Sequence, residues 1–375
     1  MKKNNFVFSD YLQFVKDTDR LPKNDLAPVL HGLFGEVGGL MTAAKKIKRE
    51  PNVYTGFDSV VIEEFGDAFW YLCCLSARLN VDIQAILVEL THSNRANAEI
   101  LLGSDIAPLV LSFNPSVEHD FDDILVKLGQ LTGNFLSVEY IENETAEKIK
   151  HFLETYFSAL CILNISFTNV IDRNINKISS RFIRPENSSL PLFDDGFPEF
   201  ERLPVEFEIE FVQRTKEKQA MRWNGVFIGD PLTDSIKDID GYRFHDVFHF
   251  SYAAILSWSP TIRALIKHKR KSNPEIDHTQ DGGRAIVVEE GLSAWIFNIA
   301  KENNYFEHKK SLTFDMLKNI TQIVKGFEVD ECPMILWEEA ILTGYDVFRN
   351  VVKNNGGIIV GNRIDRTLRY KGHTN

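Results

Sequence analysis

Val60-Val61-Ile62-Glu63-Glu64-Phe65-Gly66-Asp67-Ala68-Phe69-Trp70-Tyr71-Leu72, read together with Gly35-Glu36 on the segment before it, decides how this chain folds. The apolar residues recur at helical spacing, so the stretch reads as one helix with a buried stripe. Glu63, Glu64 and Asp67 stand at i, i+1 and i+4, and Asp67 therefore shares a helix face with both glutamates. Carboxylates turned toward an apolar stripe repel one another and lose hydration, which a divalent cation offsets. A hard, oxygen-rich site of this kind suits Mg²⁺ or Mn²⁺. The same spacing fits an acidic helix edge in solvent, and the residues alone leave both readings open.

The run Gly32-Leu33-Phe34-Gly35-Glu36-Val37-Gly38, followed by Glu63-Glu64-Phe65-Gly66-Asp67-Ala68-Phe69-Trp70-Tyr71-Leu72, resembles the MazG-type, all-α nucleoside triphosphate pyrophosphohydrolase superfamily. The resemblance implies that Glu36, Glu64 and Asp67 hold Mg²⁺, or Mn²⁺ in its place, against a triphosphate. Water then cleaves between the α and β phosphates to give a nucleoside monophosphate and pyrophosphate, a hydrolysis of an acid anhydride. One position departs from the family pattern: the second glutamate of the first pair is Gly39. That removes an expected ligand, and Glu63 is the nearest carboxylate able to compensate, so the catalytic set is Glu36, Glu63, Glu64 and Asp67. A merely weakened site predicts that Gly39→Glu preserves or raises activity. Gly39 also favours a different class of function, a nucleotide-binding sensor with weak hydrolysis. Such a sensor would be coupled to an effector or a metal-dependent phosphohydrolase in the carboxyl-terminal domain.

Composition sets the outer bounds. A chain of 375 residues with 44% hydrophobic content has ample apolar material for more than one domain. Its net charge of −11 opposes duplex nucleic acid and anionic membranes. Four cysteines, Cys73, Cys74, Cys161 and Cys332, form neither a disulfide framework nor a zinc ladder and read as reduced thiols. No apolar run approaches the ~20 residues of a membrane span, so the expectation is a cytoplasmic protein, with a homo-oligomer as its assembly.

Along the chain, a short helix over 9–16 precedes a long one beginning at Pro28 and carrying Glu36. Gly35, Gly38, Gly39, Ala43 and Ala44 permit close helix approach, and Lys45, Lys46 and Lys48 suit the carboxyl end. Asp58 or Ser59 caps the acid-bearing helix, and a fourth helix over 82–100 completes a first four-helix unit at 1–104. Leu128-Gly129-Gln130-Leu131-Thr132-Gly133-Asn134-Phe135 and Phe152-Leu153-Glu154-Thr155-Tyr156-Phe157 echo the two motifs of that unit. They mark a second, degenerate MazG-like copy at 105–184, in which Gln130 stands for Glu36, and Lys150 and His151 stand for Glu63 and Glu64. Asn174-Ile175-Asn176-Lys177-Ile178-Ser179-Ser180-Arg181-Phe182 resembles the closing motif of the family, whose lysine and arginine contact the nucleotide. The resemblance thus assigns nucleotide binding to Lys177 and Arg181, and in the first copy to Asn94 and Arg95.

The Pro-, Asp- and Ser-rich stretch 185–204 reads as a linker. Beyond it, Val205, Phe207, Ile209 and Phe211 alternate with Glu206, Glu208 and Glu210 as a half-buried strand, and Asn224-Gly225 signals a hairpin turn. With Ile358-Ile359-Val360 they predict a small antiparallel sheet in an α+β domain at 205–375, among helices over 242–258, 284–301, 312–326 and 334–352. The expected fold is therefore mainly α, two tandem helical units followed by this α+β domain.

His245 and His249 are one helical turn apart, a common metal-ligand spacing, and Glu289, Glu290, Glu338 and Glu339 interrupt apolar helices. They predict a polar site, with a second metal held by His245, His249, Glu289 and Glu290 or a structural hydrogen-bond network as the two alternatives. His245-Asp246 also resembles the dipeptide of metal-dependent HD phosphohydrolases, whose upstream histidine has no counterpart here. Lys267-His268-Lys269-Arg270-Lys271, followed by Asp281-Gly282-Gly283-Arg284, reads either as a phosphate-neutralising patch or as a solvated basic loop.

Overall fold

The computed structural model describes residues 8–92, 99–100, 109–110, 120–136, 142–215, 218–234 and 239–373. The chain divides into two compact units, Met1–Ser179 and Ser180–Asn375.

In the first unit α1 (Phe8–Thr18), α2 (Ala27–Arg49), α3 (Phe57–Arg78) and α4 (Ile83–His92) are followed by two short paired strands, β1 (Glu99–Ile100) and β2 (Leu109–Val110). Then come α5 (Phe121–Leu136), α6 (Glu142–Ile162) and α7 (Phe167–Phe182). Pro28 sits in the first turn of α2, where its missing N–H costs nothing, and Lys46, Lys48 and Arg49 end the helix against its dipole. Two expectations need correction. Of the helix predicted over 82–100, Ile83–His92 is helical, whereas Glu99–Ile100 pairs as a strand. The cap of α3 is Gly56 in a left-handed conformation, φ 85°, rather than Asp58 or Ser59; the Ser59 hydroxyl donates back to the Gly56 carbonyl.

The two helical copies expected at 1–104 and 105–184, and expected to pack against each other, share one hydrophobic core, in which Phe65 and Phe69 of α3 meet Tyr156 and Phe167. Each helix pair buries only a stripe, so neither half closes a core without the other. α2 and α3 approach closely at two glycines: a Cβ on Gly32 would meet the Tyr71 ring, and one on Gly39 the Glu64 carboxylate, whereas Gly35 and Gly38 face open space.

In the second unit the antiparallel sheet runs β5-β4-β3-β6-β7, with β3 (Glu206–Gln213), β4 (Gln219–Trp223), β5 (Val226–Leu232), β6 (Gly357–Asn362) and β7 (Thr367–Gly372). Phe207, Ile209 and Phe211 of β3 are buried while Glu206 and Glu208 are exposed, as period-two patterning requires. Asn224 and Gly225, both at positive φ, turn β4 into β5. The helices are α8 (Asp246–Ser251), α9 (Pro260–Ile266), α10 (Pro274–Thr279), α11 (Gly283–Glu302), α12 (Phe314–Ile323) and α13 (Met334–Lys353). The helix predicted over 242–258 is three pieces: a 3-10 turn at Tyr242–Phe244, α8, and a π-helical turn at Tyr252–Leu256 that ends in left-handed Ser257.

The stretch 185–204, expected as a linker, packs into this unit. Asp194 is buried and accepts hydrogen bonds from Arg263 Nη2 at 2.6 Å, Arg363 Nη2 at 2.7 Å and the Leu203 amide at 2.8 Å. Its regular structure is two 3-10 turns, Asn187–Ser189 and Glu199–Glu201, and its attachment rests on arginines far along the chain. Among the described residues no single helix is long and apolar enough to cross a membrane, although α3 and α4 pass such a test as a bent pair and their apolar residues lie in the core.

Candidate functional site

α2 and α3 bring Glu36, Glu63, Glu64 and Asp67 to one place because their axes close on Gly32 and Gly39. Lys177 of α7 reaches in between, donating to Glu63 Oε1 at 2.7 Å and to Asp67 Oδ2. Asp67 Oδ1 accepts from the Asn174 amide at 3.0 Å, and Asn174 Oδ1 accepts from the Tyr11 hydroxyl at 2.9 Å. Gly66 makes room for this arrangement, since a Cβ there would meet Asn174 Cβ at 3.0 Å.

The electrostatics follow from packing many carboxyls around one ammonium. Burial pushes Glu36 up to about 9, helped by its hydrogen bond to Glu64 and by the charges of Asp67 and Glu64. Burial also raises Asp67, with Lys177 opposing and Glu63 and Glu64 adding to the rise. For Lys177 burial acts downward, but Asp67 and Glu63 outweigh it and keep the amine charged.

A proton held by Glu36 in the folded state, from its ordinary 4.5 up to about 9, stabilises the fold below that window and ceases to do so as pH rises through it. Chelator-treated protein should therefore lose thermal stability as pH rises from 4.5 to about 9, and Glu36→Gln should flatten the decline. In the reading of this cluster as a Mg²⁺ site, the cation competes with that proton and should bind more tightly toward the alkaline end. Equal slopes for parent and variant in a pH series of melting temperatures would overturn the assignment.

Gly39 is where the Glu64 carboxylate lies: an added Cβ would stand 2.4 Å from Glu64 Oε2. A side chain at 39 therefore requires the Glu64 carboxylate to shift, and in the reading of Glu64 as a Mg²⁺ ligand Gly39→Ala should weaken Mg²⁺ binding in a calorimetric titration. Undiminished affinity would show that Glu64 finds an equivalent position.

Other predicted nucleotide contacts fare differently. Arg181 is one turn beyond Lys177 on α7, but its guanidinium pairs with Glu338 Oε1 at 3.1 Å and donates to the Leu312 carbonyl at 3.0 Å. Asn94 and Arg95 lie outside the described residues. A cleft of about 490 Å³ in the same unit is lined by Lys16, Asp19, Lys23, Cys73 and Arg78 among others, and includes none of the four acids.

In the second unit His245, at the end of the 3-10 turn, and His249 on α8 lie against α11. His249 Nδ1 bonds Glu289 Oε1 at 2.9 Å, and Glu290 Oε2 lies 3.4 Å from His249 Nε2 and 3.7 Å from His245 Nε2. Glu289, fully buried, also accepts from Ser259 Oγ at 2.6 Å and the Thr261 amide at 2.8 Å, so its oxygens are spent on holding the ring and α9. Burial drives His249 down, yet Glu289 and Glu290 outweigh it and raise its pKa; the two histidines in turn hold Glu290 well below the carboxylate range against its own burial.

Glu338 and Glu339 do not join them, being taken by Arg181 and by Arg184 at 2.7 Å. Asp246 does, and its place was visible in the spacing His245-Asp246-x-x-His249, which sets it three residues from His249 on the same helix side. The basic run also reads differently in place: Arg270 is buried between Asp281 and Glu328, a structural ion cluster rather than a phosphate patch.

Residues 188–374 match the family model described as MazG C-terminal domain, so this part of the chain is MazG-related. No curated protein and no solved structure matches the chain. The matched residues contain the histidine cluster, and the acid cluster of α2 and α3 precedes them.

Proposed function

We propose that the first unit is a Mg²⁺-dependent nucleoside triphosphate pyrophosphohydrolase that releases a nucleoside monophosphate and pyrophosphate. The observation that carries this reading is one ammonium, Lys177, set between Glu63 and Asp67 beside the Glu36–Glu64 pair. The donor set fits a hard divalent cation: it is all carboxylate oxygen, and it is so crowded that Glu36 keeps a proton. The relation of the second unit to MazG points to the same nucleotide chemistry.

Glu36, Glu64 and Asp67 would hold Mg²⁺, which when bound polarises the phosphoryl oxygens and favours attack by water. Asn174, itself held by Tyr11, fixes the orientation of Asp67. Glu63 stays within reach as the carboxylate that takes a proton from water, and Lys177, once its partners turn to the cation, supplies positive charge to the phosphates.

Lys177→Ala should raise KM for the nucleotide by roughly ten- to a hundred-fold, the worth of a charged hydrogen bond, with a much smaller change in kcat. An unaltered KM would remove Lys177 from the substrate site. The reading as a whole is tested by pyrophosphate release from a panel of nucleoside triphosphates, with Glu64→Gln as the control. Mg²⁺-dependent release that the control lacks supports hydrolysis. Tight nucleotide binding without release favours a sensor, the reading to which the missing glutamate at Gly39 lends weight.

A further inference from the structure

We infer that the second unit holds a mononuclear divalent transition-metal centre, with His245, His249, Asp246 and Glu290 as its ligands. Each of His245, Asp246 and His249 offers a ligand atom within 4.8 Å of the other two. Both rings are oriented by their other nitrogen: His245 Nδ1 bonds the Tyr242 carbonyl at 3.0 Å, and His249 Nδ1 bonds Glu289 at 2.9 Å. An acceptor at Nδ1 keeps a proton there, so a metal at Nε2 takes the place of the other ring proton, the arrangement that outer partners impose on metal-bound histidine.

Asp246 Oδ2 lacks an explanation in a metal-free network: it is a buried side-chain atom without a hydrogen-bond partner, a costly state for a polar atom. His249 Nε2, equally buried, makes no hydrogen bond and has Glu290 Oε2 as its charged neighbour at 3.4 Å. The spacing fits a shared ion. A tetrahedral ion with bonds of ~2.0–2.1 Å keeps its ligand atoms roughly 3.3–3.4 Å apart, and Glu290 Oε2 stands 3.4 and 3.7 Å from the two Nε2 atoms. Glu289 is the outer carboxylate rather than a ligand, because His249, Ser259 and Thr261 occupy it.

Two imidazoles with two carboxylates select a borderline ion such as Zn²⁺, Co²⁺ or Fe²⁺ over Mg²⁺. The Tyr242 ring, stacked on His245 at 4.4 Å and 7°, clamps one side. The Glu290 side chain is 39% exposed, so the centre opens to solvent there, and a water or an anionic ligand can complete the coordination.

The test uses the full chain, stripped with chelator and titrated with Co²⁺, whose visible absorption reports imidazole-bound metal. One equivalent should bind with that signature and survive gel filtration. His249→Gln and His245→Gln should each abolish the band, Glu289→Gln should weaken affinity about 10–100-fold as loss of an outer partner does, and Asp67→Asn in the first unit should leave the band unchanged. If His249→Gln fails to fold, His245→Gln and the more exposed Glu290→Gln still report on the site. No Co²⁺ band in the parent, or a band that His245→Gln and Glu290→Gln leave intact, would overturn the proposal.

Discussion

Asp67→Asn should abolish Mg²⁺-dependent pyrophosphate release while leaving the fold in place. Asp67 is tied on one oxygen to Asn174 and on the other to Lys177. An asparagine keeps the volume and an acceptor oxygen, so no cavity opens. What disappears is the charge that draws the cation in. Loss of an outer-sphere partner alone costs up to about 100-fold in metal affinity or activity, and a ligand should cost at least that. Glu63 still holds Lys177 in the variant, which keeps the ammonium from being stranded. Pyrophosphate release and Mg²⁺ titration, with circular dichroism as the check on folding, decide the matter; activity within a few-fold of the parent would sink the assignment of this cluster.

The second large effect is expected in the other unit. Asp194→Ala removes the carboxylate that two buried guanidiniums share, those of Arg263 and Arg363, together with the acceptor for the Leu203 amide. Breaking a buried pair on one side costs about 3–5 kcal/mol, because the remaining charge stays out of water. For a unit of this size the melting temperature should fall on the order of 10 °C. Lys371→Ala is the contrast: its pair with Glu208 is exposed on both sides and should be worth less than about 1 kcal/mol. Thermal unfolding of the two variants side by side checks the difference, and a melting temperature for Asp194→Ala equal to that of Lys371→Ala would show that the arginines find other partners.

The helical periodicity around Glu63 to Asp67, the Pro28 start of α2, the alternation in β3 and the Asn224-Gly225 turn are local patterns, and each is found where its period or turn chemistry predicts. Partners across the fold were less legible. Glu338 and Glu339 interrupt an apolar helix in the same way as Glu289 and Glu290, yet arginines take the first pair and histidines engage the second. Residues 185–204 carry the composition of a linker because their order comes from Arg263 and Arg363, residues that no local pattern connects to Asp194. The division of 242–258 into 3-10, α and π segments was likewise hidden, since all three share an apolar, helix-like pattern.

In the reading of the first unit as a Mg²⁺ site, Lys177 makes loading an exchange of cations rather than an addition of charge. A side chain already held against Glu63 and Asp67 competes with dissolved ions as an intramolecular partner. A monovalent ion offers those carboxylates no more than the ammonium already does. A free divalent ion must displace the ammonium and leave it without a counter-charge in a half-buried place. A divalent ion that arrives on a triphosphate brings the counter-charge with it, and the displaced lysine turns to the phosphates. On that reading the acid cluster favours the metal–nucleotide complex over either component alone.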